Sequence, residues 1–296
     1  GGRGWSAGAN ADNVDQKNST FRNGKCLFNS EYGFRCFAAN TKGIKNLTVS
    51  NFRLEDNGHP AGTYGAIVLA SDKGVDALIN SDASGEADNI ELRDFEILRA
   101  VAYGTHVSWD GFNHRMRDYK FKCTFAAEHV LTPIALFGAK NFKMESGESQ
   151  GANNHISFGG NSSADVEIIG DTAKSCLNYI NGNASGGFNY LYNVKAFHRT
   201  TPAVSGEDGF VANGAIQWVM NDVLFDKFHQ GLVVGGAAVD MQMNLVRTTS
   251  SVSNGLRDFS AGGSGIVYNN CQFDTANPIH RGSGVGGAGN GSQFAN

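Results

Sequence analysis

The sequence predicts an all-β chain wound as a right-handed, single-stranded parallel β-helix, about ten coils of ~24 residues with three short strands each. Three observations predict it. A corner motif recurs along the chain, apolar residues alternate with period two and form no helical stripe, and glycine is abundant while proline is rare. Glycine contributes 39 of 296 residues and proline 4.

The corner motif is Asn or Asp, an apolar residue, any residue, and a second apolar one. It stands at Asn51 (NFRL), Asp94 (DFEI), Asp118 (DYKF), Asn193 (NVKA), Asp222 (DVLF) and Asn270 (NCQF). The intervals are 43, 24, 75, 29 and 48. The 75 and 48 are near multiples of about 24–25, the period of a stacked solenoid. The 43 is one period plus an insertion, assigned to residues 70–88, and the 29 holds extra residues around TTPAVSGEDG. Asn and Asp suit a bend that needs a left-handed backbone.

Each coil then reads in order. A short alternating strand such as NLTV or NIEL leads into the corner, and a second strand follows it. After a looser turn comes a third, Gly-apolar strand: YGFRCF, YGAIVL, YGTHVSW, DGFVANG, QGLVVGG and NGLRDF. Parallel stacking at ~4.8 Å per coil would line the interior with ladders of Phe, Val, Ile, Leu and Cys, a use for 20 phenylalanines in a chain only 18% charged. The domain is expected over residues 1–282, followed by a Gly-rich tail or linker at 283–296.

Composition narrows the function classes. A net charge of −4 without long runs of either sign gives no electrostatic footprint for nucleic acid. No stretch reaches the ~18 apolar residues of a membrane helix. The chain opens on GGRGWSAGAN, without methionine or a charged-then-apolar leader, as a mature form or excised piece would. Its five cysteines form no metal-type pair and read as buried thiols, such as a reducing compartment preserves. The acidic residues of 70–88 match no calcium loop. No metal or cofactor is expected.

The corner motif, the Gly-apolar third strand and the coil length resemble the pectin-lyase-like right-handed parallel β-helix superfamily, over roughly residues 15–282. Within it the chain most resembles the body of a phage tailspike or polysaccharide depolymerase. The sequence departs from the superfamily's sharper signatures: it has no paired-aspartate and Gly-His-Gly set, no Asp-Pro-His-Glu, and no calcium and arginine cluster. The resemblance implies a polysaccharide-degrading protein, a glycoside hydrolase or polysaccharide lyase, binding an extended glycan along one face. It also implies a homotrimer, acting from a virion tail or after secretion on a bacterial surface or extracellular glycan. Two alternatives stay open, a non-catalytic glycan-binding adhesin and a fructan-cyclising glycosyl transferase.

The stretch YGTHVSWDG (103–111) focuses the search for chemistry. With Thr105 and Val107 inward, His106 points out, Trp109 turns in and Asp110 sits at the next corner. Equivalent outward positions are Arg35, Ile67, His155, Asn178, Val211, Val233, Arg257 and His280. Such a column suits a glycan lying along a sheet, and it equally suits a solvated face. A glycosidase needs two carboxyl groups, about 5 Å apart for retention and roughly 6.5–9.5 Å for inversion. Asp110 with Glu128 on the next coil is the favoured pair. Glu207 and Asp208, adjacent in sequence, would face opposite ways on an extended strand. A lyase needs a neutral base and a cation, for which His106, His129, His155, Arg115 and Arg117 are candidates. Asn178, Trp109 and Arg257 complete the expected substrate contacts. Turn carboxylates capping loose amides are the structural alternative for each acid.

Overall fold

The structure, a computed structural model, describes residues 3–9, 16–27, 32–38, 43–55, 77–81, 86–99, 105–123, 132–158, 164–181, 187–199, 202–212, 217–235, 238, 240–260, 265–273, 279–281 and 292–295. Every regular element among them is a strand, and the strands pair in parallel as a β-solenoid. No helix among them is long and apolar enough to cross a membrane. The chain divides into two compact units, Gly1–Asn153 and Asn154–Asn296.

In the first unit, β1 (Arg3–Ala9), β3 (Tyr32–Ala38), β5 (Ala77–Ser81), β7 (Thr105–Phe112) and the first half of β9 (Thr132–Glu145) stack as one ladder. The strands β2 (Gln16–Leu27), β4 (Gly43–Glu55), β6 (Glu86–Arg99), β8 (Arg115–Cys123) and the second half of β9 stack as another. The strand β10 (Glu148–Phe158) starts here, with Glu148 opposite Lys120.

In the second unit, β11 (Ala164–Ile169), β13 (Phe188–His198), β15 (Gln217–Asp226), β17 (Gln242–Thr249), β19 (Ile266–Asn269) and β21 (Ser292–Ala295) form one ladder. The other is β12 (Thr172–Asn181), β14 (Asp208–Ala212), β16 (Gln230–Val234), β18 (Asn254–Asp258) and β20 (Ile279–Arg281).

All six motif corners adopt the left-handed backbone, with φ between 48° and 53°. The corner does geometric work that alternation alone cannot. Val49 and Phe52 are both buried although three positions apart, because Asn51 shifts the phase so that the strands on either side point inward. The same shift joins Leu92 to Phe95 across Asp94, and Leu191 to Val194 across Asn193. Register places Asn23, Asn51, Asp94, Asp118 and Ser146 in one corner column, and Gly170, Asn193, Asp222, Leu245 and Asn270 in its counterpart in the second unit. All ten have positive φ. A second corner column, missed by the motif, runs through Asn18, Asn46, Asn89, Asn113 and Asn141. Asn46 donates to Asn18, Asn89 to Asn46 and Asn141 to Asn113, at 2.7–2.9 Å, so side-chain amides link successive bends.

Interior ladders follow. Phe52, Phe95 and Tyr119 stack in register, as do Leu54, Ile97 and Phe121. Cys26 and Cys176 are buried free thiols, whereas Cys271 is half-buried. One assignment needs correcting. The strand in register between Phe34 and Val107 is ALINS, starting at Ala77, not YGAIVL. Part of the supposed insertion 70–88 is therefore a rung of the solenoid. Residues 56–76, with YGAIVL and Ile67, lie outside the described residues.

Candidate functional site

The third-strand face of the second unit is built by β12, β14, β16, β18 and β20. Phe210, Leu232 and Leu256 point into the core, and Val211, Val233 and Arg257 share the next register position, Val233 buried and the other two half-buried, with the backbone of His280 in line. Gly209, Gly231 and Gly255 precede the inward residues. Packing is close there: a Cβ on Gly209 would meet the Phe225 ring at 2.9 Å, and one on Gly231 would run into Thr248. Just before these glycines lies a polar strip, with Asp208, Gln230 and Asn254 in register. Asn178 extends it: its Oδ1 accepts the Asp208 N–H at 2.7 Å, and its Nδ2 donates to Asn154 Oδ1 at 3.0 Å.

Two carboxylates enter this strip and part ways. Glu207 is buried and accepts the Val204 N–H at 2.8 Å and an Arg199 N–H at 3.1 Å. The His198 ring lies 3.2 Å from it without hydrogen-bond aim, while its Nδ1 donates to the Arg199 carbonyl at 3.0 Å. Burial lowers the His198 pKa, opposed by the Arg199 carbonyl and by Glu207. Glu207 thus ties Arg199 and Val204 to the turn at Ser205–Gly206.

Asp208 turns the other way, toward His229. Its Oδ1 stands 3.6 Å from His229 Nδ1, and neither atom has a hydrogen-bond partner among the described residues. The two side chains are 14% and 19% exposed, sheltered but reachable. Burial raises the Asp208 pKa above the ordinary carboxylate value, opposed by His229, the Gln230 amide and the charge of Arg257. Arg257 lies with its guanidinium 4.4 Å from the centre of the Phe259 ring, a cation–π contact that holds its position. An acid inclined to keep its proton, an imidazole and a cation therefore share one outward face.

No family model matches the chain, and no curated protein does. Among solved structures, the siphovirus 9NA tailspike receptor-binding domain aligns with 99% of this chain and 73% of its own, at 8% identity and a TM-score of 0.38. That likeness is too loose to carry a role across.

The sequence-predicted residues scatter. His155, expected to point outward, is fully buried, with Nε2 2.7 Å from Asp171 Oδ2. Tyr179 Oη donates to the same oxygen at 2.9 Å, and its ring stacks on the imidazole. The neighbouring coil shows the same departure from alternation: Tyr179 and Ile180 are adjacent and both buried, and Tyr179 stacks on the His155 ring. Trp109 is also fully buried, against Phe142 and His114, and cannot touch a glycan.

Arg115 and Arg117 face outward in the first unit, but Arg115 binds Glu145 and Arg117 binds Glu91, each bridging neighbouring coils. Asp110 is half-buried beside a register shift, and its carbonyl receives His114 Nε2 at 2.9 Å. Glu128 and His129 lie outside the described residues, as does the side chain of His106. The backbone at His106 falls two positions before Ser108, which is in line with Leu78 and Arg35, so His106 is not in line with Arg35, while Ile67 lies outside the described residues. Asn178, Asp208 and Arg257 do gather on one face.

His229 and Arg199 were missed because they sit in turns between strands, and His198 because it is the last residue of β13, where the strand gives way to the turn. A signal existed. Aligning EDGF, HQGL and SNGL on their glycines puts His229 in the position of Glu207, one step before the polar strip.

Proposed function

We propose that this chain binds an extended bacterial glycan along the polar strip of its second unit and cleaves it there by β-elimination next to a uronate. The sheltered pairing of Asp208 with His229, under the charge of Arg257, carries this reading. Arg257 would pair with the uronate carboxylate and make the neighbouring C–H more acidic. The His229 imidazole would take that proton. The bond to the glycosidic oxygen on the β carbon would break, its electron pair leaving with the oxygen, and a carbon–carbon double bond would form. The raised pKa of Asp208 suits it to give the leaving oxygen a proton. Asn178 and Asn254, both half-buried, would offer amides to sugar hydroxyls, whereas Gln230 between them is buried.

Elimination fits better than hydrolysis because Glu207, the adjacent carboxylate, is already bound by Arg199 and the Val204 amide, which leaves Asp208 without a second free carboxyl beside it in the strip among the described residues. A virion-tail or secreted location and a homotrimer accord with such a role, and sedimentation would test the trimer. The test of function is incubation with acidic capsular and exopolysaccharides. Ultraviolet absorbance of an unsaturated uronate supports elimination. Reducing ends without that absorbance indicate hydrolysis, and retention without cleavage indicates an adhesin.

A further inference from the structure

The β11–β13–β15–β17–β19 sheet of the second unit carries an outward surface that the elimination chemistry does not use. Tyr190 and Tyr192 stand two positions apart on β13, both half-buried, with parallel rings (11° between planes) whose centres are 5.9 Å apart. The core residue between them, Leu191, is fully buried, so both rings belong to the outer face. Register then runs a column of amides away from Tyr192 through Asn221, Asn244 and Asn269, one per coil. Asn269 donates to Asn244 at 2.8 Å, which orients that pair of amides. The parallel column from Tyr190 alternates Val219, Gln242 and Val267, so its only amide is Gln242. The only charged side chain in register with either tyrosine on the neighbouring strands is Glu167, opposite Tyr190.

Aromatic rings beside oriented, uncharged donor–acceptor groups match the two surfaces of a neutral sugar, its C–H face and its hydroxyl edge. The amides recur at the ~4.8 Å strand spacing, so an extended chain crossing the strands meets an equivalent group at each coil. We infer that this face is a second, non-catalytic glycan site that holds uncharged stretches of the polymer. The inference rests on the glycan reading above but not on its elimination chemistry.

The test is electrophoresis of the intact chain in native gels containing dextran, galactomannan or mixed-linkage β-glucan, with light scattering in parallel. At least one of these polymers should retard the wild type. Y190A and Y192A should each weaken retardation roughly tenfold, the scale of a lost ring contact, whereas Y190F and Y192F should keep most of it. Asp208→Asn should abolish cleavage of an acidic polymer yet leave retardation intact, so failure at one site is distinguishable from failure at the other. Absence of retardation in all three gels overturns the inference. So does dissociation of an oligomer by the alanine variants, which would make this face a contact between copies of the chain.

Discussion

Asp208 Oδ1 and His229 Nδ1 face each other from neighbouring coils at 3.6 Å, too far for a hydrogen bond and close enough to influence each other's charge. If this pair is the acid–base centre, Asp208→Asn and His229→Ala should each lower turnover on a confirmed acidic glycan by about 100-fold or more. Circular dichroism should show unchanged folding. Wild-type turnover in both variants would place the chemistry elsewhere.

The same carboxyl has a measurable effect on stability. Its folded pKa is raised by burial, so the folded state holds this proton more tightly than the unfolded chain. The associated stability is fully present at low pH and is lost as pH rises through the folded pKa. Asp208→Asn should therefore gain melting temperature relative to wild type as the pH rises above the ordinary carboxylate range. A difference that does not change with pH would contradict the burial argument.

His114 has the opposite sign of dependence. It is buried, its Nδ1 accepts the Ile90 N–H at 3.2 Å, and burial lowers its pKa to about 4. Between the ordinary value of 6.5 and about 4 the unfolded chain binds the proton that the folded chain refuses. Stability from this group is complete above about pH 6.5 and falls as the solution is acidified. His114→Ala should lower stability at neutral pH by ~2 kcal/mol, through a cavity and an orphaned amide. Its acid unfolding profile should also be flatter, as urea titrations at several pH values would show.

Two glycines bracket the aromatic stack of the first unit. A Cβ on Gly24 would collide with the Phe52 ring, and one on Gly147 with the Tyr119 ring. Gly24→Ala and Gly147→Ala should each cost about 1–3 kcal/mol, because the rings have no room to shift within the stack. Thermal melts will decide; neutral variants would mean that the rings can be displaced.

Leu245 occupies a corner at φ 54°, 48% exposed, where its column otherwise favours Asn or Asp. Leu245→Asn should stabilise by ~1 kcal/mol, and Asn51→Val or Asn193→Val should destabilise by at least that much. Melting temperatures that do not move in these directions would show that the corners tolerate β-branched and apolar side chains equally.

The sequence by itself determined the solenoid. Asn51, Asp94, Asp118, Asn193, Asp222 and Asn270 announce their bends because few side chains other than Asn, Asp and Gly accept a left-handed backbone cheaply. The apolar residues flanking them fix which strand faces point inward. Corners held by Ser146 and Leu245 gave no such signal, since stacking on neighbouring coils, not local preference, keeps them bent. Only the tertiary structure decided register and partnership. A turn of variable length separates one coil's strands from the next, and an error of one residue there reverses inside and outside. His155 shows the consequence, a polar residue placed on the surface by pattern and found in the interior beside Asp171 and Tyr179. Asp208 meets His229, and Glu207 meets Arg199, for the same reason: stacking brings together turns about 20 residues apart or folds one turn back on itself, distances over which local sequence preference has no force.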